Sequence, residues 1–389
     1  MKIWMIGARG TIATTLVVGT LAARRGLLPL EALLTETEPF RALPLPPVAE
    51  VAFGGCDLRA GPLADSVPAT LASVGSFPAA VVEALLPELA AIPITRGILR
   101  GGGRGVAALV DDDAAEALQG ATARAAIERI TSDLRAFAGG EPTVVVNVAS
   151  TEPPADPALA GWDAAALERA LDADDARVPA SSLYAYAAVR AGMPYVNFTP
   201  SAGASLPALV ELARAAGVPL AGRDGKTGET LLKTALAPMF PIRALTVEGW
   251  YGTNILGNTD GQVLADPDNR ASKITTKKGV LEACLGYAPD GDVRIDYFPP
   301  LADHKGAWNF IQFRGWGGHR MRMQFTWEGT DSVLAAPLVL DIARLVELAR
   351  HRGEAGPVGA FGLFFKSPEG SAEMNLDRQY DTLLRWASA

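Results

Sequence analysis

The first 23 residues restrict the fold more than any other stretch of the chain. A short apolar run at 2–8, KIWMIGA, contains a glycine near its end, and 11–23, TIATTLVVGTLAA, has the apolar face of a helix. A strand, a glycine turn and a helix in this order open a βαβ unit. The β-branched run at 143–149, TVVVNVA, is typical of a strand buried on both faces. Alternation of this kind through about residue 225 predicts a doubly wound α/β domain.

The pattern changes beyond residue 243. Apolar and polar residues now alternate more strictly, which predicts a mostly antiparallel sheet, in the segments 244–250, 292–298, 307–314 and 320–327. Helices are expected with it at 270–286 and 332–351. Two Pro- and Ala-rich segments, 60–69 and 152–163, are expected to be loops.

The length points to two domains. One hydrophobic core stops growing at roughly 250–300 residues, and this chain has 389. We expect an α/β domain over 1–228, completed by 332–389, and a second α+β domain over 229–331. The tail, 358–389, is expected to pack back on the first domain.

Composition excludes several classes of protein. The formal net charge of −8 argues against non-specific binding to nucleic acid. The longest apolar runs, such as 333–340, fall short of the ~20 residues of a membrane span. The strand-like run begins at once after Met1, so export is not expected. Two cysteines, Cys56 and Cys284, exclude a disulfide framework and fit a reducing cytoplasm.

Lysine is scarce in this chain, which makes each remaining lysine a stronger candidate for a functional residue. Residues 1–225 contain one Lys and sixteen Arg, whereas 226–389 contain seven Lys and eleven Arg. The chain uses Arg where any cation serves. The lysines are therefore candidates for acid–base chemistry, since an ammonium can lose its proton and a guanidinium stays protonated.

The turn at 7–13, Gly-Ala-Arg-Gly-Thr-Ile-Ala, lies where a dinucleotide fingerprint belongs. Glycines there let the backbone approach a pyrophosphate, and the helix N-terminus favours negative charge. The motif is imperfect because Arg9 and Ala13 replace the usual glycines, and an ordinary turn is the alternative. Asp57, after Gly54-Gly55, is the nearest candidate partner for a ribose.

Two further loops carry polar residues. In 222–230, GRDGKTGET, Asp224 beside Lys226 suits a cofactor or a proton relay, whereas a capping turn is the simpler reading. In 254–261, NILGNTDG, the Asn and Asp side chains commonly just make turns, and the functional alternative is amide contacts or a metal ligand.

Four lysines are functional candidates. Lys273 and Lys277 stand four residues apart, which on a helix places both ammonium groups on one face, where a phosphate would relieve their repulsion. Lys305 follows a strand within Asp303-His304-Lys305. Lys366 ends the apolar run 360–365, where burial would depress its pKa. Exposed, solvated lysines are the alternative.

In their order along the chain these segments resemble the myo-inositol-1-phosphate synthase family, and the length resembles its compact archaeal and bacterial branch. Any one match is weak, but the ordered set is highly specific and spans nearly the whole chain. The matching stretches are 7–13, FGGCDLR at 53–59, VASTE at 148–152, NFTPS at 197–201, GRDGKTGET at 222–230, LGNTDG at 256–261, SKITTK at 272–277, DHK at 303–305, DSVLAAPLVLD at 331–341 and FFKSP at 364–368.

The resemblance implies a Rossmann domain, a catalytic domain that also makes the oligomer, a homotetramer in the cytoplasm, and tightly held NAD. A divalent metal or a monovalent cation remains open as a further cofactor. In the family, D-glucose 6-phosphate is oxidised at C5 and loses a proton from C6. The enolate then attacks the C1 aldehyde, and NADH reduces the ring ketone to give 1L-myo-inositol 1-phosphate. No partner other than a sugar phosphate, the cofactor and further copies of the chain is expected.

The resemblance also assigns roles. Lys273, Lys277, Lys305 and Lys366 would surround the reacting carbonyls and the phosphate, with Asp224 and Asp331 orienting lysines or the cofactor amide. Asn254 and Asp260 would line the nicotinamide, and Asp260 a metal site. The remaining cofactor contacts would come from Gly7, Arg9, Gly10, Thr11, Ile12, Asp57, Ala149, Ser150, Thr151 and Asn258.

Departures from the family pattern leave other functions open. Arg9 stands where the family commonly has Gly, and Arg223 where Asp is frequent. Alternatives are a paralogue that cyclises another sugar phosphate, such as fructose 6-phosphate, and an ordinary NAD-dependent dehydrogenase. A nucleotide-binding regulator would have no reason to keep four lysines at the family positions.

Overall fold

A computed structural model of the protein describes residues 1–110, 120–264 and 279–389, and leaves the side chains of Thr259 and Asp260 outside that description. Two sheets organise it. The larger is seven-stranded in the order β11-β6-β5-β4-β1-β2-β3, and its strand pairs are parallel. Its strands are β1 (Lys2–Ile6), β2 (Ala52–Asp57), β3 (Ile94–Arg96), β4 (Thr143–Asn147), β5 (Tyr195–Asn197), β6 (Pro219–Gly222) and β11 (Gly356–Pro357).

The smaller sheet has four strands in the order β10-β9-β7-β8. β9 is antiparallel to both neighbours, and β7 and β8 are parallel. The expected α/β class with a second, mostly antiparallel sheet is therefore confirmed. The strands are β7 (Thr246–Leu256), β8 (Val293–Tyr297), β9 (His304–Arg314) and β10 (Arg320–Thr330).

Helices cover both faces of the large sheet. On the described residues they are α1 (Thr11–Arg24), α2 (Leu63–Val74), α3 (Ala79–Ala90), α4 (Gly103–Ala107), α5 (Ala123–Ala138), α6 (Ala164–Asp172), α7 (Ala180–Arg190), α8 (Pro207–Ala215), α9 (Glu229–Leu236), α10 (Met239–Ile242), α11 (Thr259–Val263), α12 (Asp331–His351) and α13 (Leu376–Ser388). Short 3-10 turns occur at Leu34–Glu36, Phe40–Ala42, Val48–Glu50, Pro157–Gly161, Pro299–Leu301, Trp316–Gly318 and Gly359–Phe364. No described helix is both long and apolar enough to span a bilayer.

The sheet pattern follows from the burial of its strands. β4 is buried at each position, and β1 lies between β4 and β2 with Trp4 facing Val145 and Gly54. One core packs α1, α2, α3 and α12 on one face, and a second core packs α5 to α8 on the other. Both faces are covered, which is what a near-continuous β-branched run requires.

The chain after the small sheet returns to the large one. α12 packs along α1, and β11 adds an edge strand beside β6. Phe361, Phe364 and Leu383 belong to the same core as β1. The tail thus packs on the large sheet.

Several local predictions differ from the structure. Residues 60–69, expected to be a loop, contain the start of α2, because Leu63, Val67, Leu71 and Val74 form a buried apolar stripe despite the internal Pro68. Of the expected helix at 270–286, residues 270–278 lie outside the described residues, and 279–285 are helical.

Candidate functional site

A cavity of about 440 Å³ opens at the carboxyl ends of the parallel strands, where ligands bind in doubly wound sheets. Eleven of the expected cofactor residues line it: Gly7, Arg9, Gly10, Thr11, Ile12, Asp57, Ala149, Ser150, Thr151, Asp224 and Asn258. The side chain of the twelfth, Asp260, lies outside the described residues. The structure therefore gathers around one cavity residues that are far apart in the sequence.

The glycine turn between β1 and α1 fits a dinucleotide. Gly7 has φ +82, and a Cβ built on it would lie 2.7 Å from the Cα of Ala149. Only glycine allows this approach. Gly10 precedes α1 and carries no capping side chain, and Thr11 and Ile12, the first residues of the helix, line the cavity. An anion such as a pyrophosphate satisfies the N–H groups at a helix start of this kind.

Arg9 does not obstruct the turn. Its guanidinium points away, toward the loop after β2, where Nη1 donates to the carbonyls of Ala60 and Gly61. Arg9 is 8% exposed. The replacement of the family's common glycine is thus accommodated by a fixed side-chain position.

Two of the expected lysines pair with aspartates that line the other end of the cavity; Lys366 lines it as well, and Lys305 does not. Lys366 Nζ lies 2.8 Å from Asp224 Oδ1, and both side chains are buried. Lys305 Nζ lies 3.2 Å from Asp331 Oδ2. Asp331 Oδ1 also accepts a hydrogen bond of 3.1 Å from Thr227 Oγ1. Each ammonium group is therefore buried beside an aspartate, and the charge of the aspartate offsets part of the free-energy cost of burying the ammonium.

Local backbone pairing positions these groups. The N–H of Lys366 donates to the carbonyl of Asp224 at 2.7 Å, and the N–H of Lys226 donates to that of Phe364 at 2.8 Å. Asp224 has φ +61, a left-handed conformation that Asp adopts more readily than most residues. The 222–227 loop and the 364–366 segment therefore form one unit.

Asp303 is a cavity residue that sequence reasoning missed. It is 1% exposed, and its carboxylate accepts hydrogen bonds from Ser332 Oγ and, at 3.3 Å, from Asn258 Nδ2. Burial raises its pKa, and nearby Asp331 acts in the same direction. The sequence signal for Asp303 is its place in the 303–305 motif, directly before His304 and Lys305.

Glu152 is a second missed residue, at the end of the VASTE motif. Its carboxylate accepts hydrogen bonds from the backbone N–H of Ser181 at 2.9 Å and from the Ser181 hydroxyl at 2.5 Å. It thereby binds the N-terminus of α7. Burial raises the pKa of Glu152 to about 7.

Besides Lys305, three expected site residues are not placed at the cavity by the described structure. Asn254 is fully buried on the inner face of the small sheet, where Nδ2 lies 3.4 Å from the carbonyl of Arg294, and it does not line the cavity. Lys273 and Lys277 lie outside the described residues.

The described residues contain no group of three or more His, Cys, Asp and Glu side chains that could hold a metal ion. The described donor set thus does not fit a metal centre.

Comparison with known proteins decides the family. Residues 35–387 match the family model described as myo-inositol-1-phosphate synthase. The chain belongs to this family. Inositol-3-phosphate synthase 1 of Bacteroides thetaiotaomicron is 33% identical over 99% of this chain and 93% of that protein. The inositol-3-phosphate synthase of Trypanosoma brucei brucei is 34% identical over 58% of this chain and 45% of that protein.

Solved structures agree on the fold. Inositol-3-phosphate synthase from Caenorhabditis elegans superposes with a TM-score of 0.85 at 23% identity, over 100% of this chain and 85% of that one. A myo-inositol-1-phosphate synthase-related protein from Thermotoga maritima gives 0.82 at 24% identity, over 100% and 98%. The family predicted from the motifs, and with it an enzyme of the inositol-3-phosphate synthase type, is confirmed.

The buried pair of Lys366 and Asp224 leads to a first prediction. Asp224→Asn leaves a buried ammonium without its carboxylate and should lower the free energy of unfolding by about 3 kcal/mol. Lys366→Met in the same chain should restore much of the loss, a coupling that a double-mutant cycle measured by urea denaturation reports. Asp175→Asn, in the exposed pair with Arg177, is the control and should change it by less than about 1 kcal/mol. Additive losses in the double variant would contradict the coupling.

Glu152 predicts a pH dependence of stability. Its folded pKa of about 7 lies above the ordinary glutamate value of 4.5, so its contribution to stability is present below about pH 4.5 and is lost as the pH rises through 7. Glu152→Gln keeps an acceptor for Ser181 and removes the titration. Between pH 5 and pH 8 the variant should gain about 2 kcal/mol relative to the native chain in urea denaturation. The same difference at both pH values would rule out a raised pKa.

Proposed function

We propose that the chain converts D-glucose 6-phosphate to 1L-myo-inositol 1-phosphate, with NAD as a cofactor that is reduced and re-oxidised within one turnover. The main support for this function is that one cavity combines a dinucleotide-type glycine turn with lysine–aspartate pairs. A glycine turn at a helix N-terminus forms one end. Lys366, Asp224 and Asp331 line the other end, where Lys366 pairs with Asp224 and the buried Lys305 pairs with Asp331. Family membership adds the reaction class.

The chain's own groups account for charge and proton movements. Bound NAD supplies a hydride acceptor and later a hydride donor. The enolate and the alkoxides formed on the sugar carry negative charge, which preorganised ammonium groups stabilise in a water-poor site. Lys305 and Lys366 are also able to give and take protons, which a guanidinium cannot do.

The aspartates set the direction of these lysines. Asp331 lies in the first turn of α12, where the helix N-terminus favours its charge, and it holds Lys305. Asp224 holds Lys366. Lys273 and Lys277 complete the set by motif position and would bind the phosphate. Asn254 and Asp260 stay as candidate contacts of the nicotinamide end.

Further copies of the chain are the proposed partners, as a tetramer. The outer face of the small sheet carries Tyr251, Trp308 and Phe310 in a continuous row, with ring centroids 6.2 Å and 6.1 Å apart. Charges of both signs flank the row, at Arg294 and Asp296. A surface patch with aromatic residues and charges of both signs can be self-complementary, so that the same patch on a second copy of the chain binds it. Sedimentation equilibrium should give four times the chain mass, and a monomer would overturn this proposal.

Two buried free cysteines are consistent with a cytoplasmic protein. A chelator added to the assay below tests for a divalent-metal requirement, and exchange of the monovalent salt tests for a monovalent-cation requirement.

The reaction is tested by its product. Pure protein with NAD and glucose 6-phosphate should form an inositol phosphate, identified by NMR, with no net rise in absorbance at 340 nm because the reaction is redox-neutral. Accumulating NADH would instead indicate a dehydrogenase. Product from fructose 6-phosphate, and none from glucose 6-phosphate, would indicate the paralogue.

Lys305→Arg separates charge from proton transfer. It keeps the cation beside Asp331 but removes an acid–base group, so turnover should fall by about 100-fold or more. Lys2→Arg, at a lysine beside Glu141 and outside the cavity, is the matched control and should retain native turnover. Near-native activity of Lys305→Arg would exclude its acid–base role.

A further inference from the structure

The carboxylate of Asp57, at the end of β2, is already fully used by the chain. Oδ1 accepts the backbone N–H of Arg59 at 2.9 Å and its Nε at 3.1 Å. Oδ2 accepts the backbone N–H of Arg9 at 2.8 Å and Nη2 of Arg59 at 3.4 Å. A carboxylate offers about four lone-pair sites. Four donors fill them, so none remains for a ribose hydroxyl.

Asp57 instead holds a guanidinium at the place where the adenosine ribose of a dinucleotide lies, the end of the second strand. Arg59 lines the cavity, and its side chain is 41% exposed, so its remaining N–H donors are accessible. A guanidinium has five donors, and Asp57 takes two of them. Three are left for a ligand.

Arg9 fixes the segment that carries this guanidinium. Its backbone N–H binds Asp57, and its side chain binds the carbonyls of Ala60 and Gly61. The same residue thus braces the loop on both sides of Arg59. This gives a physical reason for an arginine at the position where the family commonly has glycine.

Asp57 carries no uncompensated charge at this end, because Arg59 pairs with it. An exposed, unpaired acid at this place would repel a phosphate on the ribose. An acid paired with a guanidinium does not, and the remaining N–H donors of that guanidinium attract the phosphate.

We propose that this site accepts a 2′-phosphorylated adenosine, so that the protein binds NADP(H) as well as NAD(H), with Arg59 contacting the 2′-phosphate. Asp57 and Arg9 act as positioning residues through Arg59. The inference rests on the proposed function, since it assumes a dinucleotide in the cavity.

The test compares two fragments that differ only in the 2′-phosphate. Protein loaded with NADH is titrated with 2′,5′-ADP or with 5′-AMP at 0.1 M salt, and the fall in NADH fluorescence reports displacement. We expect half-displacement by 2′,5′-ADP at a concentration about tenfold lower than by 5′-AMP. In Arg59→Ala this preference should disappear.

Arg190→Ala is the control, because Arg190 is an exposed arginine outside the cavity. It should keep the tenfold preference. Equal displacement by the two fragments in the native chain, or an unchanged preference in Arg59→Ala, would overturn the inference while leaving the proposed function intact. Failure to bind NADH would overturn both. The native-chain comparison stands alone if Arg59→Ala does not fold.

Discussion

The site depends on a short backbone pairing between two segments that are about 140 residues apart. The loop at 222–227 and the segment at 364–366 exchange hydrogen bonds through Asp224, Lys226, Phe364 and Lys366. This pairing places the ammonium of Lys366 against the carboxylate of Asp224 at the edge of the parallel sheet. Without it, the ammonium would end an apolar run, where it is solvated less well than in water.

A single helix joins this edge to the small sheet. β10 ends at Thr330, and α12 begins at Asp331 and runs 21 residues beneath the large sheet. Asp331 and Ser332 therefore occupy the junction, where they meet Lys305 and Asp303 from the strand β9 and the loop before it. Because α12 is buried along most of its length, the junction cannot shift without disturbing the core. Rigid supports of this kind keep charged groups in fixed positions during catalysis.

What the sequence predicts well is local. The turn at Gly7 follows from strand, glycine and helix signals within 23 residues, and the structure gives it the left-handed conformation that requires glycine. Likewise Asp224, Lys305 and Lys366 were found through motifs. In contrast, Glu152 and Asp303 gain their environment from Ser181, Asn258 and Ser332, which lie 29 to 45 residues away. Contacts at such separations leave no periodic signal in the chain. Their burial, and the raised pKa values it causes, could not be predicted from spacing.

The scarcity of lysine has a broader meaning than catalysis. Of the five lysines in the described residues, four are at most 7% exposed: Lys226, Lys233, Lys305 and Lys366. Two of these lie outside the pairs at the site. Lys233 pairs with Glu229 under the small sheet, and Lys226 donates to Gln379 of α13, with burial lowering its pKa to about 7. Most exposed cationic positions carry arginine, whereas the buried ones are shared between lysine and two arginines, Arg9 and Arg344. Of the two side chains, only lysine can become neutral when it is desolvated. A lysine in this chain therefore indicates a buried position. It indicates a role in chemistry only where it pairs with an aspartate that lines the cavity.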